Sequence, residues 1–166
     1  VEACGIGLPR DVQIRSGLAV AVGATEVTLL DLTNGYATIG RGGIRCIPRL
    51  FADEKSDAVR VLSEEVCAVI DDILSSRRRT PRGMQDRDER TIPWFMWKTG
   101  TSSGRRDAWA VGHNHRYAIG VWIGRFSGAG SERFVGAEAA EPLLAAMFDL
   151  PELRNHQDPS PARPLP

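Results

Sequence analysis

Lys98 closes the run Trp94-Phe95-Met96-Trp97-Lys98 and opens a small polar stretch, Thr99-Gly100-Thr101-Ser102. The chain uses arginine almost everywhere, and its only other lysine is Lys55. A flexible ammonium that can be desolvated does different work from a guanidinium fork, so a lone lysine at this place suits a chemical task. The aromatic half predicts a strand buried on at least one face, because large aromatics pack well on a pleated surface. The small half lets another molecule lie against the strand's backbone.

Other chemistry-bearing residues are weaker candidates. Cys4, Cys46 and Cys67 have no short metal-ligand spacing and read as buried small hydrophobes, with a Cys46–Cys67 disulfide left open. His113 and His115 are spaced like a two-histidine metal arm, but no third ligand is evident and a tight turn accounts for them. No metal and no cofactor is therefore expected. Gly5-Ile6-Gly7 is half of a dinucleotide loop, yet no alternating strand precedes it and Pro9 follows at once. The loop Arg77-Arg78-Arg79-Thr80-Pro81-Arg82-Gly83 reads as a solvated segment screened by Asp86, Asp88 and Glu89, the alternative being a contact with an anionic polymer.

The elements that must position Lys98 are legible around it. Thr28 caps a helix predicted over 28–40, with Asp31 three residues on, Leu29, Leu32, Tyr36 and Ile39 at helical spacing, and Gly42-Gly43 as a left-handed stop. Residues 44–51 read as a short extended stretch broken by Pro48. Ser63-Glu64-Glu65 opens a second helix, with Val66, Ile70, Ile73 and Leu74 as its expected buried stripe and an end near Ser76. Three strands follow as an antiparallel meander: the Lys98 strand, one from Trp109 to Gly112, and one from Tyr117 to Gly124, with His113–Arg116 as the tight connection. Past Gly136, alanines with Leu143, Leu144, Met147 and Phe148 predict a closing helix with Pro142 in its first turn. Residues 151–166 are proline-rich without periodicity and read as a linker.

Totals bound the class. At 166 residues, 42% hydrophobic and 25% charged, the composition is that of one globular domain with a real core. Twenty-one basic and 21 acidic residues cancel, which argues against a dedicated nucleic-acid binder. No apolar run approaches the ~20 residues of a membrane span. The chain starts at Val1 in mid-pattern, so it reads as a piece of something longer.

Lys98-Thr99-Gly100-Thr101-Ser102, ending an aromatic strand and followed by Gly104-Arg105-Arg106-Asp107-Ala108-Trp109-Ala110-Val111-Gly112, resembles the Lys-Thr-Gly region of class A bifunctional penicillin-binding proteins. Residues 25–32 with Tyr36-Ala37-Thr38 are similar to that family's helix ahead of its Gly-Gly loop. The likeness runs from about residue 16 to 150. It implies the penicillin-binding/serine β-lactamase-like α+β fold, an antiparallel sheet with flanking helices, over residues 1–150. It also implies a D,D-transpeptidase that attacks the D-Ala-D-Ala end of peptidoglycan stem peptides through a serine acyl-enzyme and is trapped by penicillins.

By that resemblance, Lys98 supplies positive potential, and the Thr99 and Thr101 hydroxyls donate to the substrate carboxylate. The Thr101 backbone N–H is half of an oxyanion hole, and Gly100 leaves room for the substrate backbone. Ser102 is a further substrate contact or a stabiliser of the strand edge. Two family motifs are missing: no serine has lysine three places on, and none has asparagine two places on. The resemblance therefore implies the C-terminal half of a transpeptidase domain, inactive alone and completed by the remainder of the domain. The parent is expected to be a peptidoglycan glycosyltransferase as well, anchored upstream in a bacterial inner membrane with this part in the periplasm. The competing readings are a non-catalytic module that binds peptide carboxylates, a β-lactamase, and an arginine-driven nucleic-acid protein.

Overall fold

The computed structural model describes residues 2–11, 16–51, 53–75 and 79–154. Its regular elements are helix α1 (Leu29–Gly40), strands β1 (Ile44–Cys46) and β2 (Ala58–Arg60), helix α2 (Glu64–Leu74), strands β3 (Met96–Thr101), β4 (Asp107–His113) and β5 (Ala118–Gly124), and helix α3 (Glu141–Phe148). A π-helical turn, Gly136–Ala140, leads into α3, and short 3-10 turns lie at Glu2–Cys4, Gly17–Val22, Glu89–Thr91 and Ser103–Arg105. Two antiparallel sheets result: a β1–β2 ribbon and a three-stranded sheet in the order β3-β4-β5. This is the α+β arrangement expected, with the β2 partner of β1 as an addition.

Local chemistry sets the helix ends. Thr28 Oγ1 accepts the Asp31 N–H at 3.0 Å and Ser63 Oγ accepts the Val66 N–H at 3.3 Å, each satisfying a donor that the first turn leaves without a partner. After α1 the chain turns through Gly42 (φ 64°) and Gly43 (φ 92°), whose N–H groups bond back to the Ile39 and Thr38 carbonyls. A Cβ on Gly43 would lie 2.8 Å from the Leu62 carbonyl carbon, so both conformation and contact demand glycine there. Gly43→Ala is expected to cost about 1–3 kcal/mol. A thermal melt would show this as a midpoint lowered by several degrees, at roughly 2–4 °C per kcal/mol.

The three-stranded sheet lies between two helical layers. Ala108, Ala110, Ile119 and Val121 face the Leu144, Ala145 and Phe148 side of α3 and, with Phe95, Trp97, Met84 and Ala140, form the core. Phe95 stacks on Phe148 at 4.6 Å between centroids and tilts against Trp97 at 4.8 Å. The small alanines of β4 leave space for these large rings. The other face carries α1 and α2, with His113 of β4 pressed against Gly40 of α1.

Two expectations need correction. The expected buried stripe of α2 holds only for Ile70 and Leu74: Val66 is 47% and Ile73 63% exposed, while Cys67 is 2% exposed. Cys67, Ile70, Asp71 and Leu74 face inward, with His113 Nε2 3.2 Å from Asp71 Oδ1. His113 also does not belong to a turn. It ends β4 at 1% exposure, and the connection is Asn114–Tyr117, pinned by the Tyr117 N–H donating to Asn114 Oδ1 at 2.9 Å. Of the residues read as a linker, 151–154 dock on the domain, with Asn114 Nδ2 donating to the Leu153 carbonyl; 155–166 lie outside the described residues.

Candidate functional site

Lys98 sits in the outermost strand of the larger sheet. On one side β3 pairs with β4 in the register Lys98↔Val111, Thr99↔Ala110, Gly100↔Trp109 and Thr101↔Ala108. On its other side, among the described residues, the only backbone pairing is a single bridge from Ser75 to Met96. Among the described residues no strand pairs with the rest of that margin. Phe95, Met96 and Trp97 are fully buried, so the strand enters the margin from a rigid base.

Backbone alternation decides which groups face outward. The Ser102 N–H donates to the Asp107 carbonyl at 3.0 Å, so Ser102, and with it Gly100 and Lys98, turns its N–H and C=O toward β4. Thr99 and Thr101 therefore turn theirs to the open side. Two carbonyls on that side are taken by cationic side chains. Arg79 donates to the Trp97 carbonyl while its guanidinium lies 3.9 Å above the Trp97 ring, and Lys98 Nζ donates to the Thr99 carbonyl at 2.6 Å. Burial against that ring pulls the Arg79 pKa down, and nearby Glu141 opposes the shift. Burial likewise pushes the Tyr36 phenol up to about 12, with Arg79 pulling the other way.

The predicted site residues thus divide. Lys98, Thr99, Gly100 and Thr101 share the open margin, with Lys98, Gly100 and Thr101 exposed. Ser102 leaves it: its Oγ accepts the Asp107 N–H at 2.8 Å and closes the β3–β4 turn. Asp107 in turn accepts the Trp122 indole N–H at 2.9 Å, and Trp109 meets Trp122 edge-on, so both residues organise the turn and packing. A Cβ on Gly100 would meet only Trp109 Cβ, at an ordinary 3.6 Å, so nothing among the described residues requires glycine there.

Sequence reasoning missed Arg79 as an individual, seeing only a basic loop, and missed Gly136, whose N–H donates to Thr101 Oγ1 at 3.0 Å. Arg79 stands four residues before Gly83 in a run of like charges and carried no separate signal. Among the described residues no group of three His, Cys, Asp or Glu side chains could hold a metal ion, and the three cysteines are free thiols. Burial, with Asp71 nearby, pushes the Cys67 thiol up. No helix of the described residues is long and apolar enough to cross a membrane.

The sequence that builds this strand, meander and closing helix is similar to penicillin-binding proteins, and the chain is a penicillin-binding-protein-like fragment. It is 31% identical over 147 residues to penicillin-binding protein 1C of Escherichia coli, covering 89% of this chain and 19% of that protein. It is 29% identical over 115 residues to penicillin-binding protein 1A of Aquifex aeolicus, covering 64% of this chain and 16% of that one. The chain thus spans about a fifth or less of the length of these relatives. No family model matches it.

Proposed function

We propose that this segment supplies the Lys-Thr-Gly wall of a serine D,D-transpeptidase that cross-links peptidoglycan stem peptides. The observation that carries the reading is the open margin of β3. An extended peptide laid antiparallel there would find the outward Thr99 N–H and the outward groups of Thr101, and would reach the Thr99 carbonyl by displacing Lys98 Nζ, a form of recognition by strand addition. The Lys98 ammonium at the same margin attracts the terminal carboxylate of D-Ala-D-Ala, and the threonine hydroxyls donate to it. The outward Thr101 N–H is suited to one half of an oxyanion hole, where losing a donor typically costs ~10²–10³ in rate. The scissile carbonyl would be attacked by a serine outside this chain. D-alanine leaves with the proton that the serine gives up, and an amine of a neighbouring stem resolves the ester.

The parent protein would carry that serine and its lysine partner in the rest of the transpeptidase domain. By its likeness to the named relatives it would also hold a peptidoglycan glycosyltransferase and a membrane anchor, with this domain in the periplasm. β-Lactams would acylate it as mimics of D-Ala-D-Ala. Intact-mass analysis tests the division of labour. The full protein should gain one penicillin adduct on a serine, and this segment alone should gain none. A full protein without an adduct would leave a peptide-binding module as the better account, and an adduct on the segment would reveal a nucleophile within it.

A further inference from the structure

We infer that Gly136 is a positioning residue for Thr101, setting the direction of its hydroxyl from the α3 side of the sheet; this rests on the transpeptidase reading above. A threonine hydroxyl has one proton to give and two lone pairs to receive, and its rotor is otherwise free. The Gly136 N–H occupies a lone pair of Thr101 Oγ1 at 3.0 Å. The hydroxyl proton is thereby left to donate elsewhere, toward an acceptor at the open margin. A carboxylate is the acceptor the proposed substrate brings, and a hydrogen bond to a charged group is among the stronger kinds.

The contact depends on glycine for reasons of space. A Cβ at residue 136 would lie 2.7 Å from the Trp109 carbonyl oxygen and 3.0 Å from the Gly100 carbonyl carbon, with the Gly100 oxygen closer still. Its φ lies outside the left-handed region, so proximity and not backbone conformation excludes a side chain. Gly136 also opens the π turn that runs into α3, where the first N–H groups have no acceptor within the helix and remain available. The helix itself is anchored by Leu144 and Phe148 in the core. Core packing thus fixes Gly136, and Gly136 fixes the rotor of Thr101.

The test is a double-mutant cycle in the full-length protein, read as the second-order rate of acylation by a fluorescent penicillin. Gly136→Ala should slow acylation by about tenfold or more, the loss of one charge-assisted bond. In a Thr101→Ala background the added Cβ still presses on the Gly100 and Trp109 carbonyls, so part of the penalty should persist there, but smaller than in wild type by about threefold or more because the hydroxyl it acts through is gone. In Thr101→Ser, which keeps an acceptor oxygen, the Gly136→Ala penalty should return. A merely structural glycine would cost the same factor in every background, and that result overturns the inference. Hydrogen exchange at the Gly136 amide decides the contact independently of acylation. Thr101→Ala should speed exchange by about tenfold, and an unchanged rate overturns the inference even if every variant is labelled. A wild-type protein that takes no label overturns the transpeptidase reading instead, and the exchange rate then still decides whether the Gly136–Thr101 bond exists.

Discussion

Replacing Lys98 by alanine in the full protein should slow acylation by a fluorescent penicillin by about 10- to 100-fold, while the fold survives. The size follows from the contact removed. A hydrogen bond to a charged group contributes ~1.5–3 kcal/mol, and each 1.4 kcal/mol is a decade. Survival follows from position: Lys98 is exposed, and among the described residues its ammonium bonds the neighbouring Thr99 carbonyl and no distant group. Exposed substitutions of that kind usually stay within about 0.5 kcal/mol in stability. Lys98→Arg should recover little, since a planar fork does not place its charge where a compact ammonium does. Undiminished labelling of Lys98→Ala would remove the assignment of this strand to the active site.

Gly100→Val should be the more severe of the two for acylation, with the fold again retained. Within the described residues the added side chain starts beside Trp109 Cβ at an ordinary contact distance, and valine is at home in a strand. The thermal midpoint should therefore stay within about 2–4 °C of wild type. A peptide or penicillin backbone lying along the margin would meet the branched side chain directly. Losing correct placement beside the Thr101 N–H should cost about 10²-fold or more, on the scale of a lost oxyanion donor. A variant that labels normally would mean that no ligand backbone passes Gly100. One that melts far lower would mean that the glycine serves packing.

The sequence was readable where local chemistry decides. Thr28, Ser63, Gly42 and Gly43 mark helix ends by capping and left-handed turns, and the structure follows them to within a residue or so. The meander was readable because its aromatic and apolar runs are separated by tight polar connections. What escaped was set by long-range contact. Helix α2 carries apolar residues on more than one face, so periodicity could not say whether Val66 or Cys67 goes inward; packing against the sheet, where Asp71 lies beside His113, is a long-range matter. His113 looked like a turn residue beside Asn114, yet register with Met96 places it in the strand. Lys98, Thr99, Gly100 and Thr101 are contiguous, so their proximity was given in advance. The contribution of Gly136 was not, since it lies 35 residues from Thr101 and glycine there has no local signature.

The cations resting on the Trp97 and Thr99 carbonyls have a bearing on solubility. An unpaired sheet margin invites a second molecule to zip onto it, and charged side chains are one of the ways proteins blunt such edges. With Arg79 and Lys98 already occupying its acceptors, β3 offers a neighbouring copy few carbonyls and two like charges to bury. A short guest that ends in a carboxylate can turn those charges to advantage, whereas a long neutral strand cannot. On the transpeptidase reading, the margin would stay available to small anionic peptides while disfavouring pairing with a second copy.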